Sequence, residues 1–278
     1  MNWRLIPYSS AEPAWNMAAD EAIFTSYLQN NAPPTLRFYG WDPPALSVGY
    51  FQEVAKEVNL SGLTEKGFGL VRRNTGGRAV LHNQELTYSV VAGTRDGIPD
   101  HLISSYLYIS RALVEALKEY GIAADLHEGS AERLKGTGAC FEAPSWYEIT
   151  VAGRKLVGSA QLRRKNALLQ HGSILLDFSP FDLGAVLNLN RLSLDEWAAR
   201  MKQKVTSLRD LGVSTAPAEL AEAIGRSFQK LYAIRFREDS LSPEELRLTE
   251  RLVLEKYATP GWNLSRGSSH NQSRVLTG

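Results

Sequence analysis

The chain has 278 residues, 44% hydrophobic and 22% charged, which is enough apolar side chain for a sizeable core in one large domain or one domain with a small appendage. Its 31 Lys and Arg stand against 30 Asp and Glu, a formal net charge of +1 that argues against a dedicated nucleic-acid binder built on excess basic charge. The single cysteine, Cys140, rules out an intrachain disulfide and a cysteine-rich metal site, and no apolar run approaches the ~18 residues that suggest a membrane span.

The first residues, MNWRLIPYSSAEP, hold no apolar core ahead of a small-residue cleavage site, so no signal peptide is expected and the chain reads as cytoplasmic. Residues 13–29 predict a helix, with Pro13 in its first turn and Met17, Ala18, Ala22, Phe24 and Leu28 on a broad apolar face. From Thr35 to Val91 the texture changes to TLRFYG, ALSVGYF, GLVRRN, AVLH and LTYSVVA, short runs rich in β-branched and aromatic residues. Gly, Pro and Asn or Asp separate them, which predicts a multi-stranded sheet with tight connections. Residues 102–120 return to helical spacing and stop at Gly121.

Small and polar residues over 127–139 predict a loop. WYEITVAG, KLVGSAQLRR and ALLQHGSILLDF predict strands, the first two joined by a hairpin turn at Ala152-Gly153. From Pro180 the pattern is helical. Ser193 with Glu196, and Ser242 with Glu245, fit capping boxes, and Glu219 to Leu231 keeps helical periodicity. SRGSSHNQSRVLTG at the end predicts a frayed tail. The expected fold class is α+β: a mixed or antiparallel sheet core with flanking helices over 1–205, a small helical C-terminal segment over 206–262, and a disordered tail over 263–278.

Four stretches carry candidate chemistry. In VRRNTGGRAVLH (71–82), Gly76-Gly77 permits backbone geometry that other residues resist, and Arg72, Arg73 and Arg78 surround it with positive charge. This reads as a cradle for an anion or a developing oxyanion, or as a plain basic hairpin turn. In GACFEAPSWYE (138–148), Cys140 ends a polar loop, where reactive groups tend to lie, although a lone cysteine also serves as inert filler. In GRKLVGSAQLRR (153–164), Lys155 is either a solvated strand end or, across one hairpin from Cys140, an ammonium that favours the thiolate. In LLQHGSILLD (168–177), His171 reads as a core histidine satisfied by backbone, with a general base as the alternative, and His82 occupies a similar place after the Gly-Gly turn. No His or Asp/Glu grouping has metal-ligand spacing, so no metal is expected. Arg163, Arg164 and Lys165 form a basic cluster, read as a solvated strand end or a docking patch for an acidic partner.

RFYGW (37–41), SVGYFQ (47–52), RRNTGGRAVLH (72–82), CFEAPSWYEI (140–149), GRKLVGSAQ (153–161) and LLQHGSILLD (168–177), in this order, resemble the lipoate–protein ligase and octanoyltransferase family, whose fold is shared with biotin–protein ligase catalytic domains. The resemblance runs from about Trp3 to about Tyr257, and CFEAPSWYE is similar to the LipM-type octanoyltransferase branch, which carries its acyl group on cysteine. It implies that residues 1–205 form a catalytic domain. It further implies transfer of octanoyl from the phosphopantetheine thioester of acyl carrier protein, through a Cys140 thioester, to a lysine of a lipoyl-accepting protein. The glycine cleavage system H protein is the usual first acceptor. Carried over residue by residue, it makes Cys140 the nucleophile and Lys155 the group that lowers the thiol pKa and shuttles the proton. Substrate binding falls to Arg73, Thr75, Gly76, Gly77, Arg78, His82, Gly158, Ser159, Ala160, Gln170, His171 and Gly172. No cofactor beyond the donor's own phosphopantetheine, no nucleic acid, no membrane and a monomer are expected. The competing readings are an octanoyl-[H protein]:E2 amidotransferase, an ATP-dependent lipoate–protein ligase and a non-enzymatic acyl-binding module.

Overall fold

The computed structural model describes residues 1–127, 148–190 and 192–265. The chain opens on β1 (Asn2–Ala11), α1 (Pro13–Leu28), β2 (Thr35–Trp41) and β3 (Ala45–Val48), then two short helices, α2 (Val54–Glu57) and α3 (Leu60–Lys66). Strands β4 (Gly69–Arg72), β5 (Val80–His82) and β6 (Glu85–Gly93) lead into α4 (Leu102–Lys118). There follow β7 (Asp125–His127), β8 (Glu148–Val151), β9 (Arg154–Arg164) and β10 (Ala167–Leu175). The remainder holds α5 (Pro180–Ala185), α6 (Leu194–Lys204), α7 (Pro217–Tyr232), β11 (Arg235–Glu238), α8 (Pro243–Leu252), a π-helical turn over Val253–Tyr257, and α9 (Pro260–Ser265).

Among the described residues an eight-stranded mixed sheet runs in the order β11-β1-β2-β6-β10-β9-β8-β7, and a three-stranded sheet runs β4-β3-β5. Strands β11, β1 and β2 are parallel neighbours, and every later pairing in the large sheet is antiparallel. The expected hairpin between β8 and β9 is present, with Ala152 and Gly153 both at positive φ (48° and 74°).

Strict alternation explains why both faces of the large sheet are covered. Leu36 and Phe38 of β2, Leu86, Tyr88, Val90 and Ala92 of β6, and Leu168 and Ile174 of β10 project to one face, where Ile109, Leu113 and Leu117 of α4 and Leu220, Ile224 and Phe228 of α7 close the main core. The other face meets α1, through Ile23, Phe24 and Tyr27 against Val91 and Leu169. This helix is buried nearly all round, because Tyr39 and Trp41 of the large sheet, Val71 of the small sheet, and Leu252, Tyr257 and Trp262 pack on the rest of its length. A second core joins Leu46 and Val48 of the small sheet to Leu183 of α5 and Trp197 and Met201 of α6.

The region 206–262 is part of the same body. β11 extends the large sheet beside β1, and α7 fills the main core, so the segment expected to be wholly helical contains an edge strand. RFRE offers only one apolar residue, which is why an edge strand there left no clear hydrophobic pattern. β1, equally unread, shows a register shift between Ile6 and Ser9 that blurs its period of two. Residues 263–265, expected in the tail, belong to α9: Asn263 is buried there, and its side chain accepts from the Arg72 amide at 2.8 Å. Residues 266–278 of the expected tail lie outside the described residues.

Arg4 of β1 and Glu245 of α8 make a buried two-point ion pair at 2.6 Å in both contacts. Removing the charge of one member leaves the other buried and uncompensated. Glu245→Gln should therefore lower unfolding stability by about 3 kcal/mol, read from the urea midpoint. The double variant Arg4→Met/Glu245→Leu should recover most of the loss, and a double variant as unstable as the single would contradict this account.

Candidate functional site

Four polar residues of β6 and β10 fall on the α1 face. Thr87 and Ser89 alternate along β6, and His171 and Ser173 along β10, where Ser89 pairs with His171 and Thr87 with Ser173. All four are buried. Buried hydroxyls and imidazoles on a sheet face need partners, and α1 supplies the first in Asp20.

Asp20 is 1% exposed. Its Oδ1 accepts from Arg37 Nη1 at 2.8 Å and Ser89 Oγ at 2.9 Å, and its Oδ2 accepts from the Tyr39 hydroxyl at 2.8 Å. The fourth donor is His171, with Nδ1 3.1 Å from Oδ2. Burial alone would raise the Asp20 pKa, but the hydrogen bond from His171 and the Arg37 charge outweigh it and hold the carboxyl below its ordinary value. With Nδ1–H committed to a carboxylate, a neutral His171 presents Nε2 as an acceptor, and the Thr75 hydroxyl lies 2.7 Å from it. His171 is thus satisfied by a carboxylate and a hydroxyl, where the sequence suggested backbone. Asp20 was missed altogether. The signal was present as the Asp20 carboxylate within NMAADEAIF and the Arg37 guanidinium within TLRFYGW, since charges inside apolar elements require each other.

The Gly-Gly turn is built from within. Arg73 Nη1 donates to Ser47 O and Oγ, both at 3.1 Å, and Nη2 donates to Gly76 O at 2.9 Å and Arg78 O at 2.7 Å. Planar trans peptides put each following N–H opposite its carbonyl, so the amides of Gly77 and Ala79 are directed away from the guanidinium. Gly77 has φ +90°, and a Cβ on neighbouring Gly49 would stand 2.0 Å from Gly77 O. Arg72 does not join any anion cradle. It is fully buried and donates to the carbonyls of Gly49, Tyr50, Gln52, Trp262 and Asn263, locking α9 against the back of the turn.

His82 stacks on Trp41, with centroids 4.0 Å apart at 17°. Ser47 Oγ accepts from Arg73 and lies 2.8 Å from His82 Nε2, while His82 Nδ1 is 3.4 Å from Glu85 Oε1. Burial lowers the His82 pKa despite Glu85, so the ring is neutral at pH 7.

Between the two sheets lies a cavity of about 240 Å³. Of the residues singled out from sequence, Arg73, Gly77, Arg78, His82, Gly158, Ser159, Ala160, His171 and Gly172 line it, alongside Met17, Tyr39, Ser47, Val80, Thr87 and Ser173. Thr75 stands behind His171, and Gly76 faces outward toward Phe51. Gln170 is on the opposite face of β10, where it donates to the Tyr88 hydroxyl at 2.9 Å and accepts from Gln161 at 2.9 Å, so it braces the sheet from behind.

Lys155 is 4% exposed, not a solvated strand end, and its Nζ is 2.5 Å from Glu148 Oε1. A Cβ on Gly158, which lines the cavity, would lie 2.9 Å from Lys155 Cε and 3.1 Å from Nζ, so the lysine end packs against Gly158 in space that only glycine leaves open. Cys140 and the loop expected up to residue 139 fall, apart from His127 at its start, outside the described residues. Arg163 is tied to Ser105 Oγ and Asp100, while Arg164 and Lys165 are exposed. Among the described residues no group of His, Cys, Asp and Glu has the arrangement of a metal site, and no helix is long and apolar enough to cross a membrane.

The Asp20 carboxyl binds its proton more readily in the unfolded chain, so acid favours unfolding. Asp20→Asn should cost roughly 3 kcal/mol of stability at pH 7. The gap to the unsubstituted chain should narrow as pH falls below the ordinary value of 3.8, and a gap constant down to pH 2 would contradict the assignment.

Residues 12–229 match the family model of the lipoyl protein ligase A/B catalytic domain. Octanoyltransferase LipM of Kyrpidia tusciae is 44% identical over 270 residues, covering 94% of this chain and 98% of that protein. Octanoyltransferase LipM of Bacillus subtilis is 39% identical, covering 95% and 98%. Among solved structures, a bi-partite lipoate protein ligase from Thermoplasma acidophilum superposes with a TM-score of 0.80 at 29% identity over 95% of this chain and 96% of its own. Lipoate-protein ligase A bound with ATP gives 0.79 at 28% identity over 95% and 99%.

Proposed function

The chain belongs to the lipoyl protein ligase A/B catalytic-domain family and stands among its octanoyltransferases, and from that premise we propose that it moves octanoyl from acyl carrier protein to a lipoyl-accepting protein through a thioester on Cys140. Octanoyl transfer in protein lipoylation is the activity of this branch. The donor, the cysteine intermediate and the glycine cleavage system H protein as acceptor are the finer part of the reading.

The observation that carries it is the buried Lys155 ammonium packed against Gly158, a residue that lines the cavity. Its carboxylate partner, Glu148, follows Cys140 closely in sequence, so the chain bearing the cysteine re-enters the described structure beside this amine. An ammonium next to a thiol favours thiolate, the form that attacks a thioester. Thioester-to-thioester exchange is nearly balanced in energy, and the later attack by the acceptor lysine makes a stable amide, so the sequence runs without ATP. In the first step the Cys140 thiolate adds to the acyl carbonyl and the phosphopantetheine thiolate leaves, taking a proton from the Lys155 ammonium. In the second the lysine amine adds, the Cys140 thiolate leaves, and the surplus proton of the amine passes to Lys155. Amides of the Thr75-Gly76-Gly77 turn are candidate donors to the oxyanion in both.

The cavity suits an acyl chain. His82 is neutral, Asp20 is matched by Arg37, and Met17, Tyr39 and Val80 offer apolar surface. At ~0.8 kcal/mol per buried methylene, an eight-carbon chain gains several kcal/mol there. Exposed Arg164 and Lys165 suit steering of an acidic carrier protein, whereas Arg163 serves the fold. We place the reaction in the cytoplasm.

Incubation with octanoyl–acyl carrier protein should add one octanoyl group to the protein by intact mass, absent in Cys140→Ala. A requirement for ATP and free octanoate would establish a ligase instead, and donation by H protein alone an amidotransferase. Lys155→Ala should slow alkylation of Cys140 at pH 7 by about tenfold or more, as expected when a thiol with a pKa near 8.5 loses its cation. An unchanged alkylation rate removes Lys155 from that role.

A further inference from the structure

Buried hydroxyls in folded chains are almost always hydrogen-bonded, and one that is not costs stability. Among the described residues four buried side-chain polar atoms have no partner: Trp3 Nε1, Ser173 Oγ, Thr206 Oγ1 and Ser227 Oγ. Of these residues only Ser173 lines the cavity.

Its position is specific. On β10, Ser173 is directly opposite Gly158 of β9, and side chains of directly opposed residues share a face with Cβ positions ~5 Å apart. The Gly158 position is the one over which the Lys155 ammonium rests, 3.1 Å from where a Cβ would be. On the other side Ser173 pairs with Thr87, whose hydroxyl is engaged by Glu85 and the Trp41 indole. Thr87 and Lys155, which flank it, have partners of their own, and the Ser173 O–H stands on the cavity face beside Gly158. The adjacent His171, by contrast, is held at both nitrogens.

We infer that Ser173 is a catalytic residue that donates its hydroxyl hydrogen to the carbonyl oxygen of the transferring acyl group. The inference rests on the acyl-transfer reading above. As the nucleophile's electron pair forms its bond to the acyl carbon, the C=O π pair moves onto oxygen. It returns when the C–S bond breaks and the thiolate departs. Ser173 keeps its proton throughout, and its hydrogen bond strengthens as the oxygen becomes anionic, so it favours the transition state over the bound thioester. An unligated hydroxyl that is unpaired inside the protein has no competing bond to give up.

The test compares Ser173→Ala and Ser173→Thr with the unsubstituted chain, using octanoyl–acyl carrier protein and H protein. Ser173→Ala should lower kcat about 100-fold with KM little changed, the loss expected for one oxyanion donor. Its Tm should be equal or higher, because the orphaned hydroxyl is gone. Ser173→Thr should restore most of the rate. With carbonyl-labelled octanoyl, the infrared stretch of the bound thioester should move to higher frequency in Ser173→Ala. A Ser173→Ala protein that transfers at the unsubstituted rate, or whose loss of rate is matched by a fall in Tm, overturns the inference. Failure of the unsubstituted chain to take octanoyl at all would instead overturn the acyl-transfer reading.

Discussion

One carboxylate organises the interior around the cavity. Asp20 gathers four donors from three strands of the large sheet, and through His171 it reaches Thr75 on the Gly-Gly turn. A lone carboxylate at this depth would be neutralised, but Arg37 supplies the opposing charge and three further groups occupy the remaining lone pairs. The same network fixes the orientation of the histidine ring and the spacing between α1 and the sheet. The Asp20 side of the cavity is therefore a set of paired charges and dipoles, held in place by hydrogen bonds.

The arginines show how misleading charge in a motif can be. RRNTGGR reads as a basic loop, yet Arg72 and Arg73 direct their guanidinium donors inward to main-chain carbonyls. Their work is to hold a turn that has little regular hydrogen bonding of its own. The close approach of Gly49 to Gly77 and the packing of α9 behind Arg72 serve the same end. A preorganised turn is what an oxyanion or an acyl carbonyl needs, since donors already in place do not reorganise during the reaction.

Lys155 and Gly158 illustrate coupling at short range. The lysine occupies the space above the glycine, so the GSA run matters for the volume it leaves as well as for its backbone. Glu148 keeps this buried ammonium paired at the point where β8 begins. The cation is thereby retained at low exposure beside Gly158.

Much of this was legible in the amino-acid order. The helix from Pro13, the strands between Thr35 and Val91, the Ala152-Gly153 hairpin and both serine capping boxes follow from periodicity, turn chemistry and local hydrogen bonding, all set within a few residues. The clustering of the Gly-Gly turn, the GSA strand and His171 followed from recognising motifs in order. Pairings at long range were not legible: Asp20 with His171, Arg4 with Glu245, β11 beside β1, and the orphaned hydroxyl of Ser173. Each depends on which distant groups arrive at the same buried place and how many hydrogen bonds remain to be made there, and only packing in three dimensions decides that.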